Sequence, residues 1–143
     1  MIAEIRARLT ANAMPPLVFV AGAISLAAIE DSPPQPGRLP AAYVVPLADS
    51  AGANLLAAGG SHQEVTGRIG VVLAIGAMAQ RDGAQASDDI DPQVAAIRAA
   101  LAGWQPASAE APLAFARGAI AGVTKRIVWW LDEYTLKSSL RSV

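Results

Sequence analysis

The segment VTGRIGVVLAIGA, residues 65–77, constrains the fold more than any other part of this chain. Large apolar side chains alternate along it with small or polar ones, and successive residues of a β-strand point to opposite faces of the sheet. The segment therefore predicts a strand with one core face, made by Val65, Ile69, Val71, Leu73 and Ile75. Small residues make up most of the other face, where a partner backbone can approach closely, and we assign Arg68 and Val72 on that face to a candidate subunit interface.

Two helices are predicted from apolar spacing. Residues 2–12 repeat apolar positions at helical intervals before two prolines end the pattern. Residues 91–104 predict a longer helix, in which Asp91 is the N-cap and Pro92 occupies the first turn. A helical turn capped by Ser25 is also expected. The remaining predicted strands cover 17–23, 43–45, 112–123 and 125–136, the last two as an antiparallel hairpin.

The order of these elements predicts an α+β fold, a largely antiparallel sheet with helices packed on one face. A length of 143 residues suits a single domain, residues 1–143. Three segments predict loops. Residues 32–40 contain four prolines, residues 50–63 are rich in Ala and Gly, and residues 78–90 are polar.

The composition indicates apolar surface that a partner covers. Hydrophobic residues make up 53% of the chain, charged residues only 16%, and the mean hydropathy is +0.36. A net charge of -1 provides no overall basic field for nucleic acid or anionic lipid. The absence of cysteine excludes disulfides, thiolate nucleophiles and Cys-ligated zinc.

The uncharged run of residues 9–29 approaches the length of a membrane span, but Pro15 and Pro16 interrupt it. The apolar part that remains is too short to span a bilayer as a helix, so no membrane association is expected. A secretion signal is the alternative interpretation, although Glu4 falls in what would be its basic region.

Motifs for enzyme chemistry are nearly absent. His62 is the single histidine, and its neighbour Ser61 does not by sequence proximity have the geometry that proton transfer needs. Asp88, Asp89 and Asp91 lack the spacing of a calcium loop and suit the positive end of a helix dipole. Five basic residues near the C-terminus are expected to form a solvated face, with phosphate contact as the alternative. We assign no catalytic, cofactor or metal site and predict that the protein is not an enzyme.

Trp129 and Trp130 are adjacent in the last predicted strand, so their side chains point to opposite faces. Ile127, Trp129 and Leu131 form the cleaner apolar run, which predicts Trp129 in the core under the helix of residues 91–104. Trp130 then faces outward. Because interfaces are enriched in tryptophan, Trp130 joins the candidate subunit interface.

Several segments carry a resemblance to a known family. They are IRARL, PAAYVVPLAD at 40–49, HQEVTGRIGVVLAI at 62–75, AIRAALAGWQP at 96–106, and PLAFARGAI followed by WWLDEY. Together they resemble the tail terminator proteins of long-tailed phages, especially those of Mu-like and related prophages. The similarity covers most of the chain in the same order and is weakest in the loops at 32–40 and 50–61.

Membership of this family implies an α+β fold that assembles into a homohexameric ring. The ring would cap the tail tube, end its polymerisation and provide the head-docking surface, at the tail–neck junction of the virion, after assembly in the host cytoplasm. Its partners would be the tail tube protein, a head-completion or connector protein, and DNA passing transiently through the lumen. Loops on a rigid scaffold usually make such contacts, so we expect tube or lumen contacts from His62, Asp82, Asp88 and Asp89.

Two alternatives remain open from the sequence. The first is another ring of the phage neck, a head–tail connector or a related injection component, which the same fold could serve. The second is a small α+β ligand-binding or hydrolase domain. That function needs a deep pocket with convergent polar groups, and the chain supplies few of them.

Overall fold

A computed structural model describes residues 1–76, 83–124 and 126–142, with the backbone alone for residues 83–89. Within these residues the strands are β1 (Phe19–Gly22), β2 (Ala41–Ala51), β3 (Ser61–Gly76), β4 (Ala114–Thr124) and β5 (Ile127–Ser142). The helices are α1 (Ile2–Asn12), α2 (Leu26–Asp31) and α3 (Gly83–Leu101), with a 3-10 turn at Pro36–Arg38. The predicted α+β fold class is confirmed.

The strands form one mixed sheet in the order β1-β2-β3-β5-β4. Strand β1 runs parallel to β2, and every other neighbouring pair is antiparallel. Strands β3 and β5 pair along their full lengths, from Ser61 opposite Ser142 to Gly76 opposite Ile127. Their distal parts, together with the end of β2, extend past the core. We call residues 46–51, 61–68 and 135–142 the ribbon, and none of its side chains is buried.

One face of the sheet, which we call the helix face, packs against α1 and α3. Ile69, Val71, Leu73 and Ile75 of β3 lie on this face with residues from both helices, as their alternation predicts. Helix α1 contributes Ile5 and Leu9, and α3 contributes Ile97 and Leu101 among others. Val65, the fifth residue predicted for the core face, lies in the half-buried ribbon instead.

The opposite face has a smaller apolar cluster, to which α2 contributes Ile29. Ser25 caps α2 as predicted, since its side chain accepts a hydrogen bond of 3.2 Å from the Ala28 N–H. Trp129 is fully buried in this cluster, and its Nε1–H donates to Thr124 Oγ1 at 2.7 Å. Burial of Trp129 is confirmed, but its predicted position under α3 is wrong. The half-buried Trp130 is the tryptophan that packs on the helix face.

Helix α3 begins at Gly83, eight residues before the predicted start. The predicted N-cap Asp91 and the predicted first-turn Pro92 therefore lie inside the helix. Ile90 explains the difference, because it is buried and continues the apolar series of Val94 and Ile97 at helical spacing. Burying this extra side chain favours a helix that continues through the proline. The predicted loop at 78–90 is thus wrong from residue 83 onward, and residues 78–82 lie outside the described part.

The predicted loop at 50–63 is also too long. Strand β2 continues to Ala51 and β3 begins at Ser61, which leaves residues 52–60 as the connection. His62 accordingly lies in a strand, opposite Arg141 of β5. Pairing with β5 imposes strand structure on residues whose own sequence favours a loop.

Candidate assembly surface

Strand β4 forms a long and nearly uncharged edge of the sheet. In the described chain β5 is its only neighbour, and its outer side makes none of the backbone hydrogen bonds found between elements. Its sequence AFARGAIAGVT includes a single charge, whereas edge strands are usually protected by several charges or by proline. Its exposed large side chains are Phe115, Ile120 (58% exposed) and Val123 (61% exposed). Apart from two bulges, the strand therefore has little to protect it against pairing with another strand.

Two bulges divide β4. The register against β5 shifts between Phe115 and Arg117 and again between Ile120 and Gly122. Each bulge leaves one extra residue in β4 and interrupts the regular ladder. The stretch between them, residues 117–120, keeps regular strand geometry over four residues. We call it the central segment of β4.

A buried ionic cluster fixes the helix-face side of this segment. Asp132 is 1% exposed and accepts hydrogen bonds from Arg98 Nε at 2.9 Å and Arg98 Nη2 at 3.0 Å. It also accepts from Trp130 Nε1 at 2.8 Å and from the Tyr134 hydroxyl at 3.2 Å. Gly118 lies directly opposite Asp132, and a Cβ at this position would collide with the Asp132 carboxylate and the Arg98 guanidinium. The cluster therefore needs glycine in β4.

The same cluster shifts two pKa values. The hydrogen bond from Arg98 to Asp132 raises the pKa of the Arg98 guanidinium above its ordinary value. Burial, followed by the charge of Asp132, raises the pKa of the Tyr134 hydroxyl well above its ordinary value. Arg98 also lies over the Phe115 ring at 4.2 Å, which adds a cation–π contact between α3 and β4. The arrangement joins α3, β5 and β4, and its contacts hold these three elements together.

A second cluster lies on the opposite face at the next residue of β5. Glu133 is buried and binds Arg68 Nη2 at 2.6 Å, and it also accepts a hydrogen bond from Arg117 Nε. The two arginines come from β3 and β4, on either side of β5. Arg117, the one charge in β4, is therefore paired within the subunit, and it shares the Glu133 carboxylate with Arg68.

The other edge of the sheet is β1, which is only four residues long. In the described chain it pairs with β2 alone. Exposed apolar residues flank it on both sides, Val18 before the strand and Ile24 (81% exposed) after it. The Arg38 guanidinium lies 4.8 Å from the centre of the Phe19 ring. The molecule thus has two unlike apolar edges at the two ends of one sheet.

The connection at the end of the ribbon is a third exposed apolar feature. Residues 52–60, GANLLAAGG, carry no charge, and both Leu55 and Leu56 are exposed. Asn54 orders this connection because its Oδ1 accepts from the Leu56 N–H at 3.2 Å and from the His62 N–H at 2.8 Å. The Leu55 N–H donates to the His62 carbonyl at 2.8 Å. The two leucines are therefore presented by a hydrogen-bonded turn.

The predicted interface residues have different surroundings in the structure. Trp130 is half-buried and lines an open groove of ≈ 570 Å³ between α3 and β4. Arg68 is partly exposed and bound to Glu133. Val72 is 1% exposed inside the cluster of the opposite face, so it has no surface to offer a neighbouring subunit. Its small neighbour Gly70 is covered by Leu131 of β5 and Leu47 of β2 in the same chain, which alternation within one strand does not reveal.

The predicted tube or lumen residues do not form one described site. His62 lies in β3 and contributes backbone hydrogen bonds to the turn at the end of the ribbon. Asp88 and Asp89 fall in α3, where their side chains are outside the described set, and Asp82 lies outside the described residues. Among the side chains that are described, no group of three acidic, His or Cys residues could hold a metal ion.

The sequence reasoning missed the edge of β4. Its signal was present, because the pattern after Pro112, LAFARGAIAGV, is a strand pattern with a single charge and no further proline. What the sequence did not give was the strand order, which places β4 outside β5.

The fold and these surfaces define an α+β protein with open, apolar sheet edges, a class in which contacts between proteins are the expected activity. None of the helices in the described residues is long and apolar enough to cross a membrane. The family model for phage tail terminator protein matches residues 2–142, nearly the whole chain, and the chain belongs to that family. A search of curated proteins found no match. The resemblance inferred from the sequence is confirmed, and the protein is a structural component of a phage tail.

Proposed function

We propose that the chain, as a single domain, forms a homohexameric ring that caps the tail tube, ends its polymerisation and provides the head-docking surface. The ring lies at the tail–neck junction, after assembly in the host cytoplasm. Its partners are the tail tube protein and a head-completion or connector protein. DNA passes through its lumen.

The observation that carries the ring is the pair of open apolar edges at the two ends of the sheet. A cyclic ring joins subunits head to tail, so each subunit needs two different and complementary patches. Strands β4 and β1 supply two such patches. A dimer with twofold symmetry would instead use one self-complementary patch and leave the second edge open.

The turn at the end of the ribbon is the proposed contact with the tube. It projects along the strand direction, whereas the two edges face across the strands, so contact there leaves both edges free for ring formation. Its exposed Leu55 and Leu56 favour an apolar recess in the partner. The segment from 51 to 60 carries no charge that would attract or repel DNA electrostatically.

Native mass spectrometry and electron microscopy of tails test the proposal together. The purified chain, or the chain recovered from tails, should give the mass of six copies. Phage lacking the chain should make tubes of uncontrolled length that do not join heads, and supplying the chain should restore normal tails. Normal-length tails attached to filled heads in its absence would contradict the function.

A matched pair of variants tests the tube contact. Leu55→Ser with Leu56→Ser should leave the hexameric mass unchanged and abolish co-sedimentation with purified tubes. Ala57→Ser with Ala58→Ser, in the same turn, should keep both properties. Equal co-sedimentation of the two variants would place the tube contact elsewhere.

A further inference from the structure

We propose that the central segment of β4 pairs in antiparallel fashion with β1 of the next copy, so that the sheet continues from subunit to subunit. The proposal rests on the ring proposed above and names the strands and the register that join it. The strand that pairs with β4 comes from a second copy of this chain.

Length is the first reason for this pairing. The two bulges leave four regular residues in β4, and β1 is also four residues long. Strand pairing needs regular backbone on both sides, because a bulge disrupts the ladder. The free parts of the two edges therefore have equal length, and a register that aligns the faces overlaps three residues of each.

Strand direction follows from the topology. Strands β1 and β2 run the same way, and the antiparallel steps from β2 to β3, β5 and β4 give β4 the direction opposite to β1. Rotation about a ring axis preserves directions along that axis. Strand β4 of one copy and β1 of the next therefore meet antiparallel, the arrangement with hydrogen bonds perpendicular to the strands.

The faces of the sheet restrict the register. Rotation about the ring axis also keeps the helix face of every copy on the same side, and residues directly opposite in an antiparallel pair share a face. Ala21 and Ala119 both lie on the opposite face, since their cross-strand neighbours are Tyr43 and Leu131. A register with Ala21 opposite Ala119 therefore keeps the faces aligned.

This register also matches side chains. It places Val20 opposite Ile120 on the helix face and Gly22 opposite Gly118. The alternative shifted by two residues would place Ala21 opposite Arg117, whose guanidinium is bound to Glu133. Strand β1 itself has no charged residue, and the arginines that lie against it are Arg6, beside Gly22, and Arg38, over Phe19.

Three directly paired residues on each strand, 20–22 and 118–120, bury less than a stable interface of about 800 Å² per partner requires. The apolar residues that flank the two segments supply additional surface. Met14, Val18 and Ile24 are exposed beside β1, and Phe115 and Val123 are exposed beside the central segment of β4. The ladder fixes the register, and these side chains add the buried apolar area.

Cysteine cross-linking tests the register. The chain has no cysteine of its own, so native thiols cannot form other disulfides. Residues directly opposite in an antiparallel pair lie within disulfide range. Under mild oxidation, Ala21→Cys with Ala119→Cys should give a ladder of covalent oligomers that ends at the ring. A mixture of the two single variants should give dimers and nothing larger, and each single variant alone should remain uncross-linked.

Val20→Cys with Ala119→Cys is the matched control, because the two thiols would lie on different faces and should not cross-link. Covalent dimers of Ala119→Cys alone would show β4 pairing with β4 and overturn the proposal. Native hexamers of Ala21→Cys with Ala119→Cys that never cross-link would also overturn it, while leaving the proposed ring intact. Absence of any oligomer, in solution or in tails, would overturn the ring as well.

Discussion

Asp132 and Glu133 are adjacent in β5, and both are buried carboxylates bound by arginine, yet their surroundings differ. Asp132 faces α3 and accepts four hydrogen bonds from Arg98, Trp130 and Tyr134. Glu133 faces the other way and is bound there by Arg68 and Arg117. The side chain of Arg117 is 74% exposed, and that of Arg68 is 43% exposed.

The difference shows how a covering element changes the energetic role of an ion pair. On the helix face, Asp132 and Tyr134 are each 1% exposed, so loss of the carboxylate leaves the Tyr134 hydroxyl buried and unpaired. The Arg98 side chain is 37% exposed and remains open to water. On the opposite face, water can reach both arginines when Glu133 changes. The Asp132 cluster should therefore stabilise the fold, whereas the Glu133 cluster mainly holds Arg117 in an ion pair at the β4 edge.

The largest expected loss of stability is that of Asp132→Ala. Removing the acceptor leaves Trp130, Tyr134 and part of Arg98 without a partner, so the free energy of unfolding should fall by about 3 kcal/mol. Urea denaturation measures this change. Asp31→Ala, at the exposed end of α2, is the control and should change stability by less than about 0.5 kcal/mol. Similar stabilities of the two variants would remove the distinction between the two carboxylates.

Gly118→Ala should have the next largest effect, a loss of about 2 kcal/mol, because the added methyl group collides with the Asp132 cluster. Gly37→Ala is the matched control, since a Cβ at Gly37 meets no atom within 4 Å. Thermal unfolding followed by circular dichroism compares them. A Gly118→Ala protein as stable as the control would show that the cluster adapts easily.

Glu133→Gln should cost about 1 kcal/mol, because glutamine keeps the shape of the side chain but cannot neutralise its arginines. Arg117→Ala should cost less than about 0.5 kcal/mol, since that side chain is mostly exposed. Denaturation in low and high salt sharpens the comparison. The loss at Glu133 should shrink at high salt, whereas the loss at Asp132 should persist. Equal salt dependence at both sites would contradict this expectation.

The smallest expected effect is a change in the stability of the fold with pH. The pKa of Tyr134 is raised above its ordinary value of 10.0, so its contribution to stability is full below pH 10 and is lost as pH rises beyond it. At pH 10 the expected loss is only about 0.4 kcal/mol. The stability difference between the wild type and Tyr134→Phe, measured from pH 8 to 10.5, should narrow at the alkaline end. A constant difference would indicate that Tyr134 ionises equally in the folded and unfolded chain.

Much of the fold was predictable where one local pattern coincided with burial. The alternation in β3 gave its core face, the spacing of residues 2–12 gave α1, and the last two strands formed the expected hairpin. Burial of Trp129 followed from the apolar run around it. Its face did not, because the sequence does not reveal that α2 covers the side of the sheet away from α3.

Other features depend on contacts distant in sequence. The buried Ile90 outweighs the helix-start signal of Asp91 and Pro92, and pairing with β5 draws His62 into a strand. A weak local signal for the Asp132 cluster existed, because Trp130, Asp132 and Tyr134 are spaced by two and share a face. Their partner Arg98 comes from α3, and only the packing of that helix identifies it.

The ribbon gives the subunit two mechanical halves. Its eight-residue arms in β3 and β5 are about 26 Å long at the usual rise per residue, and Leu136 near their start packs against the core. Without buried side chains, this half is held by backbone hydrogen bonds and by exposed polar contacts such as those of Ser139 with Glu110, so it opens at a lower free-energy cost than the core half. Its amide hydrogens should exchange with solvent much faster than those of residues 69–75. The ribbon can thus change its twist against a partner while the core half remains rigid, a compliance that a fully packed sheet would lack.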